Sequence, residues 1–388
     1  MTPWTFGPTS FRPRGSFNPS RKIDIIRSSF RYVSQSSAVC PPSLHRKKRS
    51  TWLLRVAVVT LVAGSVGAYA KSQQNWQQST LNPFTFAYFR LVSREPVSST
   101  SSIFKLQPAK PDDNRQVYES AWETGIWSVM FKQPQLQIGR DYTPLPPIPQ
   151  APRSTVDQPE DETLRFLIRR DPHGEMSRYL YGLSSGSKIE IRGPQIQYEI
   201  SPDVRDILFI AGGTGIAPAL QAAHTLLSRT SDTHKSRMRI LWATRRRGDC
   251  LGGLNNSNNR TGAPKSSWFS FFGAKPSSPA AVISEPPTSG VIVKHIESLK
   301  SQYPGQLTVE YFVDEENTFI GKDSILDFTN SDSSYGSHHK KLILISGPEG
   351  FISYMAGPKV WARGQELQGP LRGIIKKLDL KDWSVRKL

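Results

Sequence analysis

The sequence predicts an α+β then α/β chain: an antiparallel β-barrel, then a unit built on a parallel sheet, the whole preceded by one transmembrane helix. Three observations carry this. Between about Phe84 and Ile191, short alternating or β-branched runs are separated by Pro, Gly and Asp clusters. After Asp206, strand-like runs alternate with helical spacing. Ahead of both, residues 52–70 form a nineteen-residue apolar stretch with one charge, Arg55.

In chain order, residues 1–50 carry ten Lys/Arg against one acid, Asp24, among many Ser and Pro. That is the composition of an organelle-targeting leader. Within it Ile23, Ile26, Phe30 and Val33 recur at helical spacing, with Arg21, Lys22, Arg27 and Arg31 on the other side, which predicts a mitochondrial presequence. The leader holds half of the formal net charge of +18; from Lys71 onward, 39 basic residues face 31 acidic ones. So mild and dispersed a bias argues against nucleic-acid binding. Two cysteines, Cys40 and Cys250, allow neither a disulfide framework nor a Cys-based metal site.

The basic cluster His45-Arg-Lys-Lys-Arg49 stands before the apolar stretch, and an uncharged segment, 72–80, follows it. This asymmetry predicts an anchor over 51–70 with residues 1–50 on the positive-inside side and the C-terminal body opposite. Ala68-Tyr-Ala70 also resembles a signal-peptidase site, but fifty residues make too long a leading region for a secretory signal.

Barrel strands are expected over 86–92, 102–106, 127–131, 135–138, 164–168 and 188–191. Parallel strands are expected over 207–211, 239–243, 307–313 and 342–346, with helices over 218–228 and 292–302 and from about 350. The boundary falls near Pro202, giving units 84–201 and 202–388. Residues 248–290, rich in Ser, Asn, Pro and Gly, are unsuited to a core of their own and are expected to be a disordered insertion. Its 268–272 aromatic cluster is either a contact site or an incidental sticky patch.

The most informative stretch is Ile207-Leu-Phe-Ile-Ala-Gly-Gly-Thr-Gly-Ile-Ala-Pro218. Four apolar residues suit a buried strand, and Gly212, Gly213 and Gly215 allow a sharp turn whose amides can approach a phosphate. Pro218 suits a first helical turn. Because Pro218 stands where a third glycine would, this is not the usual dinucleotide fingerprint. A ligand-free tight turn fits the stretch alone. Gly182-Leu-Ser-Ser-Gly186 matches a nucleophile-elbow pattern, but it follows a helix and precedes a strand, which excludes a serine hydrolase.

Arg140-Asp-Tyr-Thr143, Gly174-Glu-Met-Ser177 and Gly212–Pro218 stand in the order and spacing found in ferredoxin-reductase-like flavoproteins such as cytochrome b5 reductase, which the chain resembles over roughly 84–388. The resemblance implies that 84–201 binds FAD and 202–388 binds NADH or NADPH. Arg140 would pair with the FAD pyrophosphate, Tyr142 would pack on the ribityl part, and Thr143 would hydrogen-bond near the flavin nitrogen that takes the hydride. Gly174, Met176 and Ser177 would meet the second phosphate, with Ser177 capping a helix over 177–181. Gly212, Gly213, Thr214, Gly215 and Pro218 would line the nicotinamide and pyrophosphate. Ser346-Gly347-Pro348 matches the family's Cys-Gly-Pro segment with serine in place of cysteine, so Thr143 and Ser346 are the candidate catalytic residues. Arg245 and Arg246 follow the second parallel strand, where arginine accommodates a 2′-phosphate, and Asp249 leaves NADH open. Arg192-Gly-Pro194 matches the family's domain junction after a strand.

With the leader, the anchor, Gly347-Pro-Glu-Gly-Phe351 and the tail 381–388, the chain resembles most the fungal mitochondrial cytochrome c import factors. That resemblance implies a membrane-anchored reductase in the intermembrane space that passes electrons from NAD(P)H through FAD to haem iron, with haem, haem lyase and apocytochrome c as partners. A cytochrome b5 reductase-like enzyme for a small haem protein, or a flavin-poor import adaptor, are the other readings. No Cys-x-x-Cys-His occurs, so haem would be met as a substrate or in a partner.

Overall fold

A computed structural model describes residues 81–110, 114–148, 163–229, 236–255, 289–331 and 339–388, with Gly67 alone before them. The expected presequence, the anchor over 51–70, Cys40 and residues 256–288 of the insertion lie outside the described residues. Among the described residues no helix is long and apolar enough to cross a membrane. Everything from Leu81 onward belongs to one compact unit, Val62–Leu388.

The first half comprises β1 (Ala87–Pro96), β2 (Ser101–Pro108), α1 (Arg115–Thr124), β3 (Gly125–Gln133), β4 (Ile138–Tyr142), β5 (Pro144–Leu145), β6 (Leu164–Arg169), α2 (Glu175–Tyr181) and β7 (Lys188–Glu199). Its seven strands form one antiparallel sheet in the order β4-β3-β7-β1-β2-β6-β5. The two edge strands, β4 and β5, are separated only by Thr143, so the sheet must curl until its edges meet, as a barrel requires. Phe89, Phe104, Trp127, Phe131 and Phe166 fill the interior at 0% exposure. Phe131 meets Phe166 edge-on at 5.0 Å. Each such side chain contributes about 1.5–3 kcal/mol by leaving water.

The second half comprises β8 (Val204–Gly212), α3 (Ile216–Ser228), β9 (Arg237–Thr244), α4 (Val291–Gln302), β10 (Leu307–Val313), α5 (Lys322–Thr329), β11 (Lys340–Ser346), α6 (Glu349–Ala356), β12 (Val360–Ala362), β13 (Gln365–Leu367), α7 (Gly373–Lys376) and β14 (Trp383–Lys387). Five strands pair in parallel in the order β10-β9-β8-β11-β14. Strand order reverses between β8 and β11. One face of this sheet packs with α3 and α4 in a cluster that also takes in Ile103, Leu145 and Leu167 of the barrel. The other face packs with residues of α5, α6 and α7.

Several expectations are corrected. The strand expected over 135–138 is a turn after Pro134, with Gln137 at φ 53, and the strand begins at Ile138. Strand β7 continues through Arg192-Gly-Pro194 to Glu199 instead of ending before them. Residues 248–255 do not belong to a loose insertion. Asn255 exchanges hydrogen bonds with the backbone of Tyr311, at 3.0 and 2.8 Å, and Cys250 is fully buried.

Candidate functional site at the carboxyl edge of the parallel sheet

In open α/β sheets ligands bind beyond the carboxyl ends of the strands, where strand order reverses. Here that point brings together the turn after β8 and the turn after β11. A side-chain carbon on Gly215 would stand 2.4 Å from the Ser346 carbonyl oxygen. One on Gly212 would stand 2.7 Å from the Phe351 ring. These glycines therefore serve close packing of two backbones. Gly213 differs: its φ is +56, and the space beside its Cα is open. Its carbonyl accepts a hydrogen bond from the Trp242 indole at 2.9 Å, which fixes the turn from the neighbouring strand. A short 3-10 turn, Gly213–Gly215, leads into α3, which places Pro218 in the first helical turn as expected.

Beside this junction lies a cleft of about 650 Å³. Gly212, Gly213 and Pro348 line it, with Thr244, Arg245, Asp314, Phe319, Phe351 and Tyr354. Arg169 reaches it from the end of the barrel strand β6, so both halves contribute. Phe319 and Tyr354 are each 62% exposed, as suits two aromatic rings at a mouth that could cover a flat heterocycle. Cation and anion meet in this cleft: the Arg245 side chain suits a phosphate, and Asp314 suits sugar hydroxyls.

Arg246 reaches Ser99 at 3.1 Å instead of the cleft. Arg247 pairs with Glu316 and donates to the Gly253 carbonyl. Asp249 accepts from the Ser98 hydroxyl at 2.5 Å, across to the β1–β2 turn, so its carboxylate fastens the two halves and is committed away from a ribose. Gly215 packs on the Ser346 and Gly347 backbone and Gly347 on Gly212 where β8 and β11 end; Ser346 is half-buried, and none of Thr214, Gly215, Ser346 and Gly347 is among the residues lining the cleft.

On the barrel side, β4 carries Arg140 and Asp141 and ends at Tyr142, with Thr143 following it. Arg140 is exposed, and its guanidinium reaches the neighbouring Gly139 carbonyl at 3.1 Å. Tyr142 lies edge-on to Phe131 at 4.9 Å. Burial pushes its pKa up to about 12, so it stays a neutral phenol. The helix expected from Ser177 begins at Glu175, with Gly174 as its N-cap and no side chain capping it. Ser177 is thus not the cap. Its buried hydroxyl accepts from the Asp171 amide at 3.0 Å and donates to the Gly174 carbonyl at 3.1 Å. These bonds hold the 171–177 turn, while Met176 is buried in the barrel core. The first-turn amides of α2 are left without a side-chain acceptor. An exposed arginine, a half-buried tyrosine and an uncapped helix start on one barrel fit a dinucleotide flavin with two phosphates.

One side chain sets the register between the halves. Gln221 of α3, 0% exposed, accepts from the Trp127 amide at 2.9 Å and donates to the Pro144 carbonyl at 2.8 Å. The pairing of β3 with β7 slips between Ile126 and Trp127. Gln221 supplies the acceptor at that irregularity, and its other end holds the residue after Thr143. Arg169, Asp314, Phe319, Tyr354 and Gln221 were not singled out by sequence, and Phe351 entered only as the end of the 347–351 segment. Only Arg169 carried a signal, as a cation ending an apolar strand.

Residues 88–200 match the family described as oxidoreductase FAD-binding domain. An uncharacterised FAD-binding protein of Schizosaccharomyces pombe is 29% identical over 48% of this chain and 64% of its own length. NADH-cytochrome b5 reductase 1 of Candida albicans is 28% identical over 56% of this chain and 69% of its own length. The cytochrome c mitochondrial import factor of Saccharomyces cerevisiae is 29% identical over 43% of this chain and 48% of its own length. The alignments thus span about half to two thirds of these relatives. The family match places an oxidoreductase FAD-binding domain over the barrel half of the chain.

Proposed function

We propose that this chain takes a hydride from NADH or NADPH onto bound FAD and passes single electrons to haem iron. Bound FAD would supply the conversion of a two-electron donor into one-electron steps. The observation that carries the proposal is the junction of the Gly212–Gly215 and Ser346–Pro348 turns, opening on a cleft that both halves line. Arg140 and the start of α2 would hold the two FAD phosphates, and Tyr142 would cover the chain between them. Thr143, held through Pro144 by Gln221, would place a small hydroxyl beside the flavin without competing for a proton. Gly213 and Arg169 would seat the nicotinamide nucleotide, with Arg245 and Asp314 at its adenosine end. The packed floor of Gly215 and Ser346 would keep water from the hydride path. Ser346 retains a small polar group there but lacks the thiol of the family segment.

The similarity to a cytochrome c mitochondrial import factor favours a role in supplying cytochrome c; our reading takes haem destined for apocytochrome c as the acceptor and haem lyase as the partner. On this reading residues 1–50 direct the chain to the mitochondrion, 51–70 anchor it in the inner membrane, and the body faces the intermembrane space. Similarity to cytochrome b5 reductases favours a small haem protein as the alternative acceptor. Reduction of haemin, haem-loaded haem lyase and cytochrome b5 by the reduced protein, compared anaerobically, decides between them. Fast reduction of haemin or the lyase supports the first acceptor; exclusive reduction of cytochrome b5 rejects it. Glycans at Asn255 or Asn259 on the natural protein would place the body on the secretory route and sink the mitochondrial assignment.

A further inference from the structure

The β12–β13 hairpin and the residues just after it gather several exposed apolar side chains in one short segment. Trp361 is 73% exposed, Leu367 48%, Val360 41% and Leu371 39%. Val360 stands opposite Leu367 and Trp361 opposite Glu366. Because successive residues alternate sides, both faces of the ribbon present apolar side chains.

A two-stranded ribbon is marginal in water unless something holds it. Here its base is bolted to the site edge of the sheet. Lys387, 4% exposed, donates from Nζ to the carbonyls of Gly357, Pro358 and Pro370. Gln368 exchanges hydrogen bonds of 2.8 and 2.7 Å with the Lys387 backbone. Lys387 pairs with Ile345, the residue before Ser346. The base of the hairpin therefore stands at the carboxyl edge, beside the end of β14. A buried lysine and a buried-side amide are spent on fixing an exposed tryptophan, which core stability does not require.

We propose that this hairpin inserts into the headgroup layer of an anionic phospholipid membrane and turns the carboxyl edge of the sheet toward it. Three features favour lipid. A protein surface would cover one face of the ribbon, whereas a fluid headgroup layer surrounds both. In the hairpin and the segment after it Arg363, Arg372, Lys376, Lys377 and Arg386 are exposed; they outnumber the exposed acids, of which Glu366 pairs with Lys359 at 3.0 Å and Asp379 with Lys381 at 3.3 Å, leaving Asp382, and each excess cation near an anionic surface adds to attraction. Tryptophan's amphipathic ring suits the interface. The inference builds on the anchor over 51–70, since residues 71–80 span at most about 35 Å and would hold Leu81 close to the bilayer.

The test uses the full chain with Cys40→Ser and Gln365→Cys, labelled at 365 with an environment-sensitive fluorophore and placed in phosphatidylglycerol or phosphatidylcholine nanodiscs. The buried Cys250 stays unlabelled. The label should shift to an apolar environment and be quenched by spin-labelled lipid in anionic discs. Arg363→Gln with Arg372→Gln should weaken that insertion about 30-fold, and Trp361→Ala should also reduce it while leaving flavin content unchanged. A label open to aqueous iodide in every lipid overturns the proposal. So does shielding that appears only when a haem protein is added, which would make the hairpin a protein-docking surface. A chain stripped from the discs by carbonate refutes the anchor alone; adding the same labelled chain to anionic vesicles then reads hairpin insertion directly.

Discussion

Gln221→Leu should break the register between the two halves. The substitution leaves the Trp127 amide and the Pro144 carbonyl without the hydrogen bonds of 2.9 and 2.8 Å that Gln221 makes. Each orphaned buried group costs about 1–3 kcal/mol, so the sum is about 2–6 kcal/mol. Gln221→Glu keeps an acceptor for Trp127 but sets two acceptors against each other at Pro144, and should also destabilise. Urea unfolding of the FAD-loaded protein, read as a midpoint shift at constant slope, measures both. Because Pro144 follows Thr143, the same variants should slow flavin reduction more than they weaken NAD(P)H binding, as stopped-flow kinetics would report. A Gln221→Leu loss below about 0.5 kcal/mol, within the range of an ordinary surface change, with an unchanged reduction rate, would refute the bridge.

Arg245→Ala should lower kcat/KM for NADPH by about 10- to 100-fold, the worth of one charge-assisted hydrogen bond, with little effect on NADH. Asp314→Ala should do the reverse, and equal losses for both nucleotides would remove these residues from the adenosine end. Gly215→Ala should cost about 1–3 kcal/mol by overpacking and nearly abolish nucleotide-dependent reduction, because its new carbon meets the Ser346 carbonyl at 2.4 Å; thermal unfolding together with turnover checks this. Burial pushes the Asp206 carboxyl up, but hydrogen bonds and charge from Arg237 and His339 outweigh it and leave its pKa below the ordinary value. Its contribution is therefore complete above about pH 4 and fades as pH falls toward the lowered folded value. Asp206→Asn should flatten the acid limb of the stability–pH profile, and an unchanged limb would contradict this assignment.

Four of the five parallel strands were legible because buried strands are continuous apolar runs, as at Ile207–Ile210; β14, Trp-Ser-Val-Arg-Lys at the sheet edge, has no such run and was missed. The Gly212–Pro218 turn was legible as a junction of strand and helix, yet its sequence could not tell phosphate approach from backbone packing. The structure packs Gly212 on Phe351 and Gly215 on Ser346 and leaves open space only beside Gly213. Helix α1 escaped notice because only Tyr118, Ala121 and Trp122 form its buried stripe, too short a pattern to stand out. Strand β7 was cut short by Pro194, whose strand position the sequence did not reveal. Phe319, Tyr354 and Gln221 reach their places only through tertiary folding, so neither spacing nor motif marks them, and Arg169 is marked only as a cation ending an apolar strand. Arg246 and Asp249 illustrate the converse: both follow β9 where a ribose contact is expected, but each bonds to a serine in the β1–β2 turn.

The central claim is tested most directly by the absorbance spectrum of the purified full chain before and after anaerobic addition of NADH or NADPH. The account predicts a yellow protein with about one FAD per chain, held by the matched domain, whose flavin band bleaches on nucleotide addition. A colourless protein that takes up no FAD, or a flavin that neither nucleotide bleaches, would contradict it.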